Sequence, residues 1–156
     1  MRIRVIAVGR RAPSWVGEGV ADYLRRLPVP LKFALQELEP GPREGARKSS
    51  QAIEVERERL LSELHRDDYV VALDEHGREL STLELASWLG ERMREGRNLS
   101  FLIGGPDGLA PAVLERSDLT WSLSRLTLPH ALVRVVLAEQ LYRAHTVLAG
   151  HPYHRQ

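Results

Sequence analysis

The chain has 156 residues, 43% of them hydrophobic and 28% charged, which describes one globular domain with its own core and excludes a disordered segment. It contains no cysteine, which excludes a disulfide framework, a thiolate zinc finger, an iron–sulfur cluster and a cysteine nucleophile, and fits a reducing cytosol. Its 22 Lys and Arg against 21 Asp and Glu leave a net charge of +1, so any nucleic-acid binding must rest on a local basic patch.

No run approaches the roughly 18 unbroken apolar residues of a membrane span. The opening Met1-Arg-Ile-Arg-Val-Ile-Ala-Val-Gly9 is charged like a signal peptide but lacks its long apolar stretch and small-residue cleavage site. It reads as a strand over Arg2–Val8, in a soluble, cytoplasmic protein. A helix is predicted over Pro13–Arg26, with Ser14 as cap and Trp15, Val20, Tyr23, Leu24 and Leu27 at helical spacing. Pro28 and Pro30 break the chain before a second strand, Leu31–Leu38. Glu39-Pro-Gly-Pro-Arg-Glu-Gly45 is then a loop, and the best candidate for a mobile segment.

Ser49–Leu64 is a charged amphipathic helix with Ile53, Leu60, Leu61 and Leu64 on its inner side. Asp68–Leu73 is a third strand. The helix Ser81–Glu95 follows, with Ser81 as cap and Glu84 at the capping-box position. Leu99–Ile103 is a fourth strand, running into Gly104-Gly-Pro-Asp-Gly108. A short helix, Pro111–Arg116, precedes a fifth strand, Leu119–Leu123. Pro129–Ala149 is the longest helix, Pro129 suiting its first turn, and Gly150–Gln156 is a tail. This alternation predicts an α/β fold, a mostly parallel sheet with helices on both faces. With no internal repeat and no long linker, residues 1–156 read as a single domain.

Ligands of open α/β sheets bind beyond the carboxyl ends of strands. Three such ends are unusual: Ala72-Leu-Asp-Glu75, the glycine segment Ile103–Gly108, and the polar-studded Ser122–His130. Paired Gly104 and Gly105 would let a backbone approach a ligand closely; the alternative is a plain turn, since Pro-Asp-Gly is turn chemistry. There is no Gly-x-Gly-x-x-Gly after a strand and no Walker lysine motif, so dinucleotide binding and NTP hydrolysis are poor readings. Ser124 and Thr127 lack the nucleophile-elbow pattern and read as hydrogen-bonding loop residues.

Four of the six histidines, His130, His145, His151 and His154, fall in residues 119–156. The same stretch holds Arg125, Arg134, Arg143 and Arg155 against one acid, Glu139, giving it a charge of +3. Such an end suits phosphate contacts and proton transfer; equally, it could be a solvated helix end complementing the helix dipole. His151-Pro-Tyr-His154 has no cysteine or carboxylate nearby to complete a metal site, so no metal is expected. The last helix carries apolar residues on more than one face, which predicts either full burial or a two-fold homodimer.

Several of these segments occur together in one known family. Ile3-Arg-Val-Ile-Ala-Val-Gly9, Leu102-Ile-Gly-Gly-Pro-Asp-Gly108, Leu126-Thr-Leu-Pro-His130, Arg134–Ala144 and the terminal His151-Pro-Tyr-His-Arg155 resemble the ribosomal RNA large subunit methyltransferase H family, over essentially the full length. The resemblance implies a SPOUT fold with a C-terminal deep trefoil knot, a homodimer, and S-adenosylmethionine held in the knot loops. It also implies methyl transfer to N3 of a pseudouridine in 23S ribosomal RNA, on the assembled ribosome.

Carried over residue by residue, Leu73, Gly104, Gly105 and the run Leu123, Ser124, Arg125, Leu126, Thr127 and Leu128 would bind the cofactor. His130 would orient or deprotonate the target base. Tyr153, His154 and Arg155 would hold the nucleotide, Tyr153 by stacking and Arg155 by phosphate, with Arg134 also on the substrate side. Two rival readings are a SPOUT enzyme acting on transfer RNA and a non-catalytic ribosome-binding factor. The tail favours the ribosomal family over the first, and the intact glycines speak against the second.

Overall fold

Along the first strand Ile3, Val5 and Ala7 point to one side and Ile6 and Val8 to the other, and all five are buried. A strand with two apolar faces belongs in the middle of a covered sheet. The computed structural model, which describes residues 1–43 and 49–155, places it there. The strands are β1 (Ile3–Val8), β2 (Phe33–Leu38), β3 (Tyr69–Glu79), β4 (Leu99–Ile103) and β5 (Leu119–Ser122). They pair in parallel throughout, in the order β2-β1-β4-β3-β5.

The helices are α1 (Ser14–Arg26), α2 (Ser49–Ser62), α3 (Thr82–Glu95), α4 (Pro111–Arg116) and α5 (His130–Ala149). On one face Val20 of α1, Leu85 and Leu89 of α3, and Leu137 and Leu141 of α5 pack on Ile3, Val5 and Phe101. On the other, Leu60 of α2 and Val113 of α4 pack on Ile6, Val70 and Leu102. The second face also holds a polar pin: Asp68, 1% exposed, accepts from the His65 N–H, the Arg4 guanidinium and the Ser100 hydroxyl at 3.0, 3.0 and 3.1 Å.

Several boundaries differ from the sequence expectation. Residues 29–31 form a 3-10 turn after Pro28, which delays β2 to Phe33. Pro13 occupies the position before α1, so Ser14 is its first residue rather than its cap, and Trp15 is 53% exposed. Pro129 likewise stands before α5 rather than within it. The capping box of Ser81 and Glu84 forms as expected.

β3 continues past Leu73 to Glu79, with a register shift against β5 between Leu73 and Arg78. Gly77 permits this, since a Cβ there would lie 2.7 Å from the Thr120 carbonyl carbon. Of the expected mobile loop, residues 44 and 45 lie outside the described residues, while Arg43 is ion-paired. β5 sits at the edge beside β3, yet α5 begins at the tip of β1, where Arg134 donates to the Gly9 carbonyl at 2.8 Å. Residues 123–129 therefore carry the chain back across the sheet.

Candidate functional site

Because the strands are parallel, their carboxyl ends face one edge of the molecule. There the segments after β4 and β5 meet the stretch of β3 at its register shift, which the sequence reads as a strand end but which lies within the longer strand. They enclose a cavity of about 420 Å³ lined by residues 73–76, 103–109, 121–124 and 126–128, with His130 and Val133. That size suits a small organic ligand. Leu73, Ile103, Leu123 and Leu128 supply apolar wall, while the last loop brings main-chain groups and no carboxylate.

The last loop is shaped by its own serines. Ser122 donates to the Ser124 carbonyl at 2.8 Å, and the Leu126 N–H donates to Ser124 Oγ at 2.9 Å. Thr127 donates to Glu75 at 3.1 Å, tying this loop to β3 at its register shift. The glycine segment folds on itself, with the Gly108 N–H donating to the Gly105 carbonyl at 3.1 Å. A Cβ on Gly104 would lie 2.8 Å from the Gly108 carbonyl group. The protein's own backbone therefore already requires glycine at 104, a reason different from the ligand approach expected from sequence. A Cβ on Gly105 would meet Val8 at 3.2 Å and Glu56 at 3.4 Å.

His130 opens α5 and lines the cavity. Burial, then the charges of Arg134 and Arg43, push its pKa below the ordinary imidazole value, although Glu56 opposes them. The shift favours the neutral ring, which keeps a lone pair for a proton.

A family model described as Predicted SPOUT methyltransferase matches residues 1–154. The chain is 52% identical to a ribosomal RNA large subunit methyltransferase H from Stenotrophomonas maltophilia, over 99% of each chain. It is 49% identical to the protein of that name from Thioalkalivibrio sulfidiphilus, over the whole of both. The chain belongs to the ribosomal RNA large subunit methyltransferase H family of SPOUT methyltransferases. Solved structures share the fold at low identity. A Bordetella pertussis protein described as a methyltransferase superposes with a TM-score of 0.56 at 19% identity, covering 92% of this chain and 93% of that one. A Legionella pneumophila protein solved with its cofactor S-adenosylmethionine gives 0.50 at 9%, covering 92% of this chain and 66% of that one.

Within this SPOUT chain, the residues expected at the cofactor fall together except one. Leu73, Gly104, Gly105, Leu123, Ser124, Leu126, Thr127 and Leu128 all line the cavity. Arg125 does not, and it is exposed. The residues expected at the substrate do not gather there. Arg134 is 3% exposed, bonded to Glu37 at 2.7 Å and to Gly9, so it offers no free phosphate contact.

The tail folds as a 3-10 turn, Pro152–Arg155, against α5 of its own chain. Tyr153 donates to Glu139 at 3.2 Å, and burial, the Tyr23 hydroxyl and Glu139 push its pKa up, keeping the phenol protonated. His154 is half-buried with Nδ1 unpartnered, and Arg155 is exposed. Arg143 is neutralised by Glu139. The +3 end counted from sequence thus reduces to Arg125 and Arg155, because Glu37 and Glu139 pair with the other two arginines.

Sequence reasoning missed the ion cluster beside the cavity, Arg43, Glu56 and Asp107. The signal was present: Ala52, Glu56 and Leu60 share one helical stripe, and an acid in an apolar stripe needs a cation. Among the described residues no helix is long and apolar enough to cross a membrane, and no three His, Cys, Asp or Glu gather to hold a metal.

Proposed function

We propose that this chain is an S-adenosylmethionine-dependent methyltransferase acting on N3 of a pseudouridine in 23S ribosomal RNA. It would work in the cytoplasm, as a homodimer, on the assembled ribosome. The observation that carries this reading is the cavity on the carboxyl side of the sheet with His130 at its edge, in a chain half identical to ribosomal RNA methyltransferases. S-adenosylmethionine supplies a methyl group on a positively charged sulfur, ready for in-line attack by an electron pair.

The residues present suit that cofactor. Main-chain groups of residues 123–128 and the backbone at Gly104 and Gly105 would bind its polar parts, and Leu73 and the neighbouring leucines would exclude water. His130 takes the imide proton from N3 as attack begins, or orients the base; its lowered pKa favours the unprotonated ring that either role needs. Arg134 braces the start of α5 against Gly9 and Glu37 rather than touching RNA. Tyr153, His154 and Arg155 would hold the target nucleotide of the partner subunit's site. The hydrogen bond from Thr127 to Glu75 of β3, and the return of the chain from β5 to β1, support a knotted path for the last segment.

The test is incubation with methyl-labelled cofactor and naked RNA, large subunits, whole ribosomes or transfer RNA, followed by mass spectrometry of the product. Label at N3 of a pseudouridine in whole ribosomes is the expected result. Label confined to transfer RNA, or none anywhere, overturns the reading.

A further inference from the structure

Glu56 is 2% exposed on the inner face of α2. Three donors meet it: the Gly41 N–H at 2.8 Å, and Nη1 and Nη2 of Arg43 at 2.7 and 3.1 Å. The third edge of the same guanidinium, Nε, donates to Asp107 at 2.8 Å. Arg43 thus grips one carboxylate with its fork and a second with its remaining edge, a geometry lysine cannot reproduce.

Glu56 and Arg43 are outside the cavity lining, but Asp107 and its turn are part of it. Gly105 lies directly on the ion pair, its missing Cβ 3.4 Å from Glu56 Oε1 and 3.6 Å from Arg43 Nη2. The exposed tip of the turn, Pro106 to Gly108, is closed by the antiparallel pairing of Gly105 with Gly108. Beyond its buried base at Gly104 and Gly105, the tip is tied to α2 by the Arg43 contact with Asp107. Gly41, on the same short connection, is pressed against the Ala52 backbone, so the residue that carries the grip is itself fixed on α2.

We propose that Arg43 is a positioning residue for the cofactor pocket, holding the 104–108 turn in its binding shape by gripping Glu56 and Asp107 together. This rests on the reading of the cavity as the S-adenosylmethionine site. Asp107 is the informative partner to change, because it is one-third exposed and its loss leaves the Arg43–Glu56 pair intact.

The experiment is calorimetric titration of S-adenosylmethionine into full-length wild type, Asp107→Ala, Asp107→Glu, Arg43→Lys and the Asp107→Ala/Arg43→Lys double variant, with thermal unfolding alongside. Asp107→Ala and Arg43→Lys are each expected to weaken binding about tenfold, the double variant no further than the worse single. Asp107→Glu, which still reaches the guanidinium, restores affinity to near wild type. The unfolding midpoint of Asp107→Ala stays near wild type, so the loss is not one of folding. Wild-type affinity in Asp107→Ala, or losses that multiply in the double variant, overturns the grip. No binding by the wild type overturns the cofactor reading itself, and the proposal with it.

Discussion

Tyr153 stands edge-on to Tyr142 with ring centroids 4.6 Å apart, which fixes the tail on α5 of its own chain. Arg143 caps the same ring, its guanidinium carbon 4.9 Å from the centroid. Tyr142 lies twelve residues along α5 from His130, about 18 Å at a rise of ~1.5 Å per residue. The tail and the cavity of one chain are therefore well separated, although both are expected at the reacting nucleotide.

A homodimer resolves that separation if each tail serves the partner's cavity. His130→Ala and Arg155→Ala homodimers should each lose turnover while keeping cofactor affinity. Mixed after co-expression, they should regain activity, because one site of each heterodimer unites an intact His130 with an intact Arg155. Random pairing sets the recovery at about a quarter of wild type. Initial rates on ribosomes measure it, and no recovery would place the tail in cis.

The pH profile tests His130. Its pKa is depressed by burial and then by Arg134 and Arg43, so the free ring stays neutral into mild acid. Activity requiring that neutral form should hold steady from pH 7 downward and fall only below the ordinary value of about 6.5. His130→Gln should lose this acid limb together with roughly 10²- to 10⁴-fold in kcat/KM. A limb that persists unchanged in His130→Gln would assign the titration to another group.

How far sequence could reach is clearest element by element. Leu99–Ile103 and Pro111–Arg116 match to the residue, because glycines and prolines punctuate both and apolar runs fill them. The continuation of β3 through Asp74, Glu75 and His76 has neither apolar alternation nor β-branched residues, so no local pattern announces it. The cavity could be anticipated since parallel sheets bind ligands at strand ends, and three odd ends were visible. The electrostatics could not. Counting charges in residues 119–156 says nothing about Glu37, 97 positions from Arg134, which neutralises it across the fold.

Gly104 distinguishes two reasons for a glycine. If only a ligand's approach required it, substitution would leave the free protein as stable as wild type. A Cβ at 104 instead meets the Gly108 carbonyl group at 2.8 Å and Leu109 at 3.1 Å. Gly104→Ala should destabilise the free protein by about 1–3 kcal/mol, since backbone cannot yield as a flexible side chain does. Urea unfolding without cofactor measures this, and a wild-type midpoint would return Gly104 to a purely ligand-facing role. Gly104→Val, larger still, confounds folding with binding.

Asp68 should make stability depend on acid in a defined direction. Burial opposes its ionisation, but the His65 N–H, Arg4 and Ser100 outweigh burial and hold its pKa below the ordinary carboxyl value. A group whose folded pKa is depressed contributes stability that is complete above the unfolded value, about 3.9, and lost as pH falls through the folded one. Asp68→Asn removes the charge while Arg4 stays largely buried, its side chain 16% exposed. At pH 7 the variant should be less stable by about 3 kcal/mol, the low end for breaking a buried pair because Arg4 retains some solvent and the Glu63 carbonyl. The gap should stay constant from pH 7 to about 5 and narrow below about pH 4, as Asp68 takes up its proton first in the unfolded chain and only at lower pH in the folded one. Urea unfolding of both proteins across that range is the measurement. A gap that stays the same down to pH 3 would mean that the loss comes from packing, not from the carboxylate charge.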